Sequence, residues 1–324
     1  MPQLLLFSRR GEAKLHWPFE RLALTAYCLL AASLVSGFLL VLTLGFTVAP
    51  EVWWAMTVWP PMLAGGMMMR RLGWSRVATA VECFGIASGL AWSSFLVLTP
   101  LASISAPFAD PLLDRADRAL GFDFILYAEA VRPWIAILAH SYKSYNWQPV
   151  LIVVFLCWTG RTTRCWKFIT AGALALVVTA MIFPFFPAEG PFVYYGIPEY
   201  GPVRAPWQFG PILQSLKDGV RHLDYTLKTG LVSIPSYHTA AACIFVWATW
   251  PTMLRWGLVP LNILLLLGTF VIGSHYLIDI LAGAVVAILV IIVTNKVLGP
   301  ERASNEASHE PGAGDRGNGA AGED

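Results

Sequence analysis

Long, nearly unbroken apolar runs separated by short charged turns set the pattern of this chain. A helix rises about 1.5 Å per residue, so roughly 20 apolar residues cross a bilayer core of about 30 Å. Runs of this kind lie at 22–47, 77–99, 134–158, 168–186, 236–252, 258–274 and 276–297. An eighth, at 52–69, is shorter and is interrupted by Pro60-Pro61 and Gly65-Gly66. The pattern predicts an all-α, polytopic integral membrane bundle of about eight transmembrane helices.

The stretches between the runs differ in character. Residues 100–132 alternate Asp110, Asp114, Asp117 and Asp123 with Leu112, Leu113, Leu120 and Phe124. That spacing predicts a short amphipathic helix at the membrane interface, its acids facing water or headgroups. The EF-hand calcium pattern is missing from it. The run at 134–158 contains the polar stretch His140-Ser-Tyr-Lys143-Ser-Tyr-Asn-Trp-Gln148. The loop 187–234 is rich in Pro, Gly, Tyr and Phe and carries both charge signs. From Gly299 to Asp324 there is almost no apolar bulk, which predicts a disordered tail.

Composition sharpens the membrane reading. Only 13% of residues are charged, about half the share of a soluble domain, while 56% are hydrophobic. The mean hydropathy is +0.61. Fourteen Trp suit a protein with two interfaces to furnish. The basic residues before the first run precede a stretch too long for a cleavable signal. Cys28, Cys83, Cys157, Cys165 and Cys243 contain no C-x-x-C pair, so neither a disulfide framework nor a zinc site is indicated. No basic patch interleaved with aromatics points to nucleic acid.

Positive charge orients the bundle. With eight spans, Arg9/Arg10/Lys14/Arg21, Arg70/Arg71/Arg76, Arg161/Arg164/Lys167, Arg255 and Lys296/Arg302 fall on one side. The positive-inside rule predicts that both termini are cytoplasmic, in a multi-pass plasma (inner) membrane protein. It brings Ser236, His238 and His275 together on the outer face.

Those three residues carry the candidate chemistry. His275 and Asp279 are four apart, one turn of a helix, so the carboxylate can hold one imidazole nitrogen and activate the other. Pro235-Ser236 stands just before another apolar run, where it would cap a helix and turn free N–H groups outward, an anion cradle. His238 follows at once. Two histidines in unequal settings suit phosphoryl transfer, one attacking phosphorus and the other protonating the leaving oxygen. The plainer account is a helix start and two interfacial histidines.

Pro235-Ser236-Tyr237-His238 resembles the second signature of the type 2 phosphatidic acid phosphatase superfamily, and His275-x-x-x-Asp279 resembles the end of its third. The run from Asp110 to Phe124, with Leu216-Lys-Asp-Gly219, resembles the branch that includes the inositol phosphorylceramide synthases. The resemblance implies a metal-independent lipid phosphatase or phosphotransferase, without cofactor, and a six-helix catalytic core within 100–298. Residues 1–99 would add N-terminal transmembrane helices and 299–324 a cytoplasmic tail. It implies His275 as the nucleophile, Asp279 as its orienting partner, His238 as general acid and Ser236 as a phosphate ligand. The partner is a lipid phosphate or phospholipid.

Two departures stand out. The arginine often found six residues before the nucleophile is Thr269 here, and the first signature has no match, since Arg132-Pro133 lacks its lysine. Phosphate needs cationic partners. The loop ahead of His238 offers Lys217, Arg221 and Lys228, and the first two, four apart, are the expected ligands. His140 and Lys143 are further candidates for the pocket. A competing reading is a transporter using Glu82, His140 and Lys143 as intramembrane relay groups. The plainer account of Glu82 is pairing with Arg70, Arg71 or Arg76.

Overall fold

The computed structural model describes residues 17–199, 204–224 and 231–299. Lys228 and the tail from residue 300 onward lie outside the described residues, as do Arg9, Arg10 and Lys14. The chain folds as the all-α membrane bundle that its apolar runs predict. Its helices are α1 (Trp17–Thr43), α2 (Pro50–Met56), α3 (Trp59–Arg71), α4 (Ser75–Ser103), α5 (Asp110–Ala119), α6 (Phe124–Val131) and α7 (Ile135–Lys143). They continue with α8 (Gln148–Trp158), α9 (Thr162–Ile182), α10 (Pro191–Tyr194), α11 (Ala205–Lys217), α12 (Tyr237–Thr249), α13 (Arg255–Ile272) and α14 (Leu277–Leu298). A parallel two-residue pairing joins β1 (Thr47–Val48) to β2 (His222–Leu223).

Among the described residues, five helical stretches are long and apolar enough to cross a membrane: Ala23–Thr43, Ser75–Ser103, Thr162–Phe185, Arg255–Ile272 and Leu277–Leu298. The other three predicted spans are shorter or broken, each for a local reason. The run 52–69 splits into α2 and α3, and Pro60 and Pro61 sit in the first turn of α3, where a missing N–H costs nothing. The run 134–158 divides at a 3₁₀ turn, Ser144–Asn146, before Pro149 opens α8. The run 236–252 yields α12, whose 13 residues reach only about 20 Å. Its N-terminus therefore starts within the protein rather than at a distant surface. Irregular backbone at such depth is tolerated where protein covers it, and Leu231, Ser233 and Ser236 ahead of α12 are buried.

One apolar core runs through the bundle. Ala26, Leu30, Leu63 and Ile86 of the early helices pack in the same cluster as Leu156, Trp166, Ile244 and Val290. Hydrogen bonds tie the turns into two opposite ends. At one, Arg76 donates to Trp158 O (3.5 Å), Arg164 Nε to Ala248 O (2.6 Å) and Lys167 to Asn295 Oδ1 (3.2 Å). At the other, Ala106 N donates to Pro184 O (2.8 Å), Ala109 N to Pro187 O (2.7 Å) and Ser233 Oγ to Phe186 O (3.1 Å). The basic turns gather at the first end and both histidine segments at the second.

Candidate active site

Ser236 opens the site. Its extended backbone makes it the N-cap of α12, and its hydroxyl accepts from Thr239 N at 3.4 Å. That leaves the leading N–H groups of α12 without helical partners, as at any helix start. The same hydroxyl lies 3.3 Å from His275 Nε2. Ser236 N donates to Asp279 O at 3.0 Å, so backbone and side chain both stitch the two motif segments together. Gly283 of α14 allows this approach, because a Cβ there would stand 2.3 Å from Ser236 O.

His275 precedes α14 and is almost wholly buried, as is Asp279. Asp279 Oδ2 lies 3.2 Å from His275 Nδ1 and accepts from Tyr276 N at 3.0 Å. An ionised carboxylate only accepts, so Nδ1 carries the proton and Nε2 presents its lone pair. The Ser236 hydroxyl then donates to that lone pair. Sequence spacing predicted this histidine–aspartate contact, and the structure has it.

His238, the second residue of α12, is held between two tyrosines. Its ring stacks on Tyr142 and tilts against Tyr145, each at 4.6 Å between centroids. Tyr142 Oη is 3.2 Å from His238 Nδ1. A Cβ on Gly273 would sit 3.2 Å from Tyr142 Oη and 2.8 Å from His275 Cδ2, so Tyr142 reaches between the two histidine segments. Both tyrosines lie in the polar stretch 140–148, where the sequence draws attention to His140 and Lys143 instead. His238 also lines a cavity of about 580 Å³ walled by Phe84, Leu98, Val153, Leu176 and Phe245.

The predicted cations go elsewhere. Lys217 Nζ donates to Ser105 O (3.0 Å), Ser105 Oγ (3.1 Å) and Ala106 O, and lies over the Phe108 ring. Desolvation there lowers its pKa. Arg221 Nη1 donates to Leu216 O (2.7 Å) and Val220 O (3.0 Å), and its guanidinium covers Phe46. Both close the C-terminal end of α11 and fasten it to its neighbours, and no hydrogen bond joins either to the histidines. Thr269 donates to Leu265 O inside α13 (2.9 Å). Glu82 pairs with Arg70 through Oε2 at 2.8 Å and Oε1 at 3.1 Å, the plainer account of its charge. His140 is exposed and bonds Ala136 O (2.7 Å), and Lys143 is exposed. Among the described residues, no hydrogen bond or ion pair links Glu82, His140 and Lys143.

The interfacial helix is where expectation and structure part. α5 forms as predicted, yet Asp110 and Asp117 are buried rather than facing water or headgroups. Asp117 accepts from Leu277 N (2.7 Å) and Ile278 N (2.9 Å) at the start of α14. Asp110 accepts from Glu189 N (2.9 Å), Gly190 N (3.0 Å) and Tyr276 Oη (2.9 Å). Burial pushes the Asp117 carboxyl above its usual range, against the two N–H bonds that favour its charge. The sequence signal was a stripe: residues 110, 114 and 117 share one helix face. Among the described residues, no group of three or more His, Cys, Asp or Glu side chains could hold a metal ion.

A family model described as the PAP2 superfamily matches residues 112–293, more than half of the chain. This chain belongs to the PAP2 superfamily. No curated protein and no solved structure matches it. The matched stretch begins inside α5 and ends inside α14, so it takes in the polar stretch and both histidine segments. Membership in the PAP2 superfamily implies a phosphatase-type enzyme acting on lipid phosphates at a membrane.

Proposed function

We propose that this PAP2 protein is a lipid phosphatase or phosphotransferase that works through a phosphohistidine on His275. The observation that carries the reading is the relay Asp279–His275–Ser236, closed by two contacts of 3.2 and 3.3 Å, beside His238, which lines an apolar cavity. The Nε2 lone pair of His275 attacks phosphorus, and the bond from phosphorus to the leaving oxygen breaks. His238 gives that oxygen a proton. Water or an alcohol then attacks the phosphohistidine and loses its proton to His238, and the P–N bond breaks. Asp279 keeps the proton on Nδ1 and stabilises the cationic ring as it forms. The leading N–H groups of α12 and the Ser236 hydroxyl receive the phosphate oxygens.

The cavity, at about 580 Å³ within the ordinary range of ligand sites, suits an acyl or prenyl chain. The partners of Lys217 and Arg221 are backbone carbonyls and Ser105, not Ser236, His238, His275 or Asp279. The bonds of Lys217 and Arg221 lend no support to a phosphate role. Thr269, standing where the family's third signature often has an arginine, supports the synthase-like reading, headgroup transfer, over simple dephosphorylation. The positive-inside pattern supports an outer-leaflet substrate and cytoplasmic termini.

The test is turnover of a panel of phospholipids and lipid monophosphates by purified protein, with acid-labile phosphate trapped on histidine. Removing the nucleophile in His275→Ala should cost more than about 10³-fold in kcat, and His238→Ala about 10²–10⁴-fold. Wild-type turnover in both variants would sink the assignment.

A further inference from the structure

The turn that carries His275 is held from both sides by a helix that lies outside both histidine motifs. Following His275, Leu277 N and Ile278 N each donate to one oxygen of Asp117, at 2.7 and 2.9 Å. Tyr276 Oη donates to Asp110 Oδ1 at 2.9 Å. Preceding it, Ser274 stands at φ 54, a left-handed conformation that a non-glycine residue adopts at a cost. Its neighbour is Gly190, where a Cβ would lie 2.4 Å from Ser274 Oγ. Gly190 N in turn donates to Asp110 Oδ1 at 3.0 Å. The residues flanking His275 thus lead back to two carboxylates on α5, seven apart and on one face. Asp110 and Asp117 are 1% and 2% exposed, so solvent does not compete for these bonds.

A helix start needs an acceptor for its first N–H groups, and a carboxylate is the strongest one available. Tyr276 is the N-cap of α14 and its hydroxyl is bonded to Asp110, while Leu277 N and Ile278 N go to Asp117. Asp279, the acid in the first turn, spends Oδ2 on His275 and Tyr276 N. Its Oδ1 has no hydrogen-bond partner among the described residues, so without Asp117 the Leu277 and Ile278 N–H groups would recruit that oxygen and turn the carboxylate on the imidazole.

We propose that α5 is a positioning brace for the attacking histidine: Asp117 and Asp110 fix the turn Ser274–Ile278 so that Asp279 stays on Nδ1 and Nε2 stays aimed at Ser236. The proposal rests on the reading of His275 as nucleophile. Asp117 and Asp110 are positioning residues, since neither touches substrate.

The experiment compares Asp117→Ala, Asp117→Asn and Asp110→Asn with wild type and with Arg115→Ala, an exposed change on the same helix. Three readouts are taken in detergent: thermal unfolding, kcat and KM on the lipid panel, and the ring ¹⁵N signals of His275. Six histidines keep that spectrum simple, and His275→Ala assigns the signal. A misplaced reacting group costs about 100-fold. Asp117→Ala should therefore lose about 100-fold in kcat, with KM within about twofold and the His275 ring signals shifted. Asp117→Asn, which keeps one acceptor, should recover part of the loss. Asp110→Asn should fall between Asp117→Asn and wild type, and Arg115→Ala should match wild type.

Folded Asp117→Ala protein with kcat within about twofold of wild type overturns the brace, whatever its ring signals do. So does failure of both Asp117 variants to fold, which would make the role structural. If wild type turns over nothing on the panel, the phosphohistidine reading fails by itself. The ring signals then decide the brace: a shift in Asp117→Ala sustains it and an unmoved His275 overturns it.

Discussion

Tyr142 shows how much a single hydroxyl can carry. Its ring stacks on His238 and its oxygen meets His238 Nδ1 at 3.2 Å, which leaves Nε2 free for the proton exchange proposed for this histidine. A tyrosine can serve either protonation state, donating to the neutral ring and accepting from the cationic one. Tyr142→Phe keeps the stack and removes the bond. A neutral hydrogen bond contributes about 0.5–1.5 kcal/mol, so kcat should fall roughly 2- to 10-fold with KM unchanged. Steady-state kinetics beside His238→Ala would check this. A Phe variant as slow as the Ala variant would mean that the tyrosine itself passes the proton.

At the scale of elements, the site is a crossing of two helices and a brace. α12 and α14 meet where Gly283 faces Ser236 O, and the hydrogen bonds Ser236–Asp279 and Ser236–His275 span that crossing. Gly→Ala inside a helix ordinarily stabilises by about 0.5–1 kcal/mol. Here the added carbon would stand 2.3 Å from a backbone oxygen, which cannot swing aside as a side chain can. Overpacking of this kind costs about 1–3 kcal/mol, so the sign reverses. Gly283→Ala should lower the unfolding temperature and part Ser236 from His275, cutting kcat as well. A more stable, fully active variant would show that the crossing has room. Spacing made the His275–Asp279 contact legible, although His275 stands just before α14, so that Asp279 reaches back over the helix's first turn rather than along one helix face. It also revealed α5. It could not reveal where the acids of α5 point, since their partners are backbone N–H groups of α14, which no side chain announces. Nor could it reveal the carbonyls that the fold supplies to Lys217 and Arg221, whose charge near the motif made them expected ligands.

At the scale of the molecule, the two ends of the bundle differ in kind, and this gives the orientation a physical basis. The turns at 70–76, 158–164 and 247–255 are short, contain Arg without Asp or Glu, and contact one another through Arg76 and Arg164. The opposite end is built from long loops that mix both signs. Lys and Arg in short loops set topology, while acids contribute little, so the proposed orientation puts the first end in the cytoplasm. Charge counted along the sequence and hydrogen bonds across the fold sort the turns into the same two groups, although neither observation uses the other. Introduced cysteines at Val220, exposed on the histidine end, and at Arg161, on the basic end, would distinguish the faces. A membrane-impermeant maleimide should label position 220 in intact cells and position 161 only after lysis. The reverse pattern would put the histidines on the cytoplasmic face, where a lipid of the inner leaflet would have to supply the phosphate. It would also mean that the basic turns follow the packing of the bundle rather than the insertion machinery.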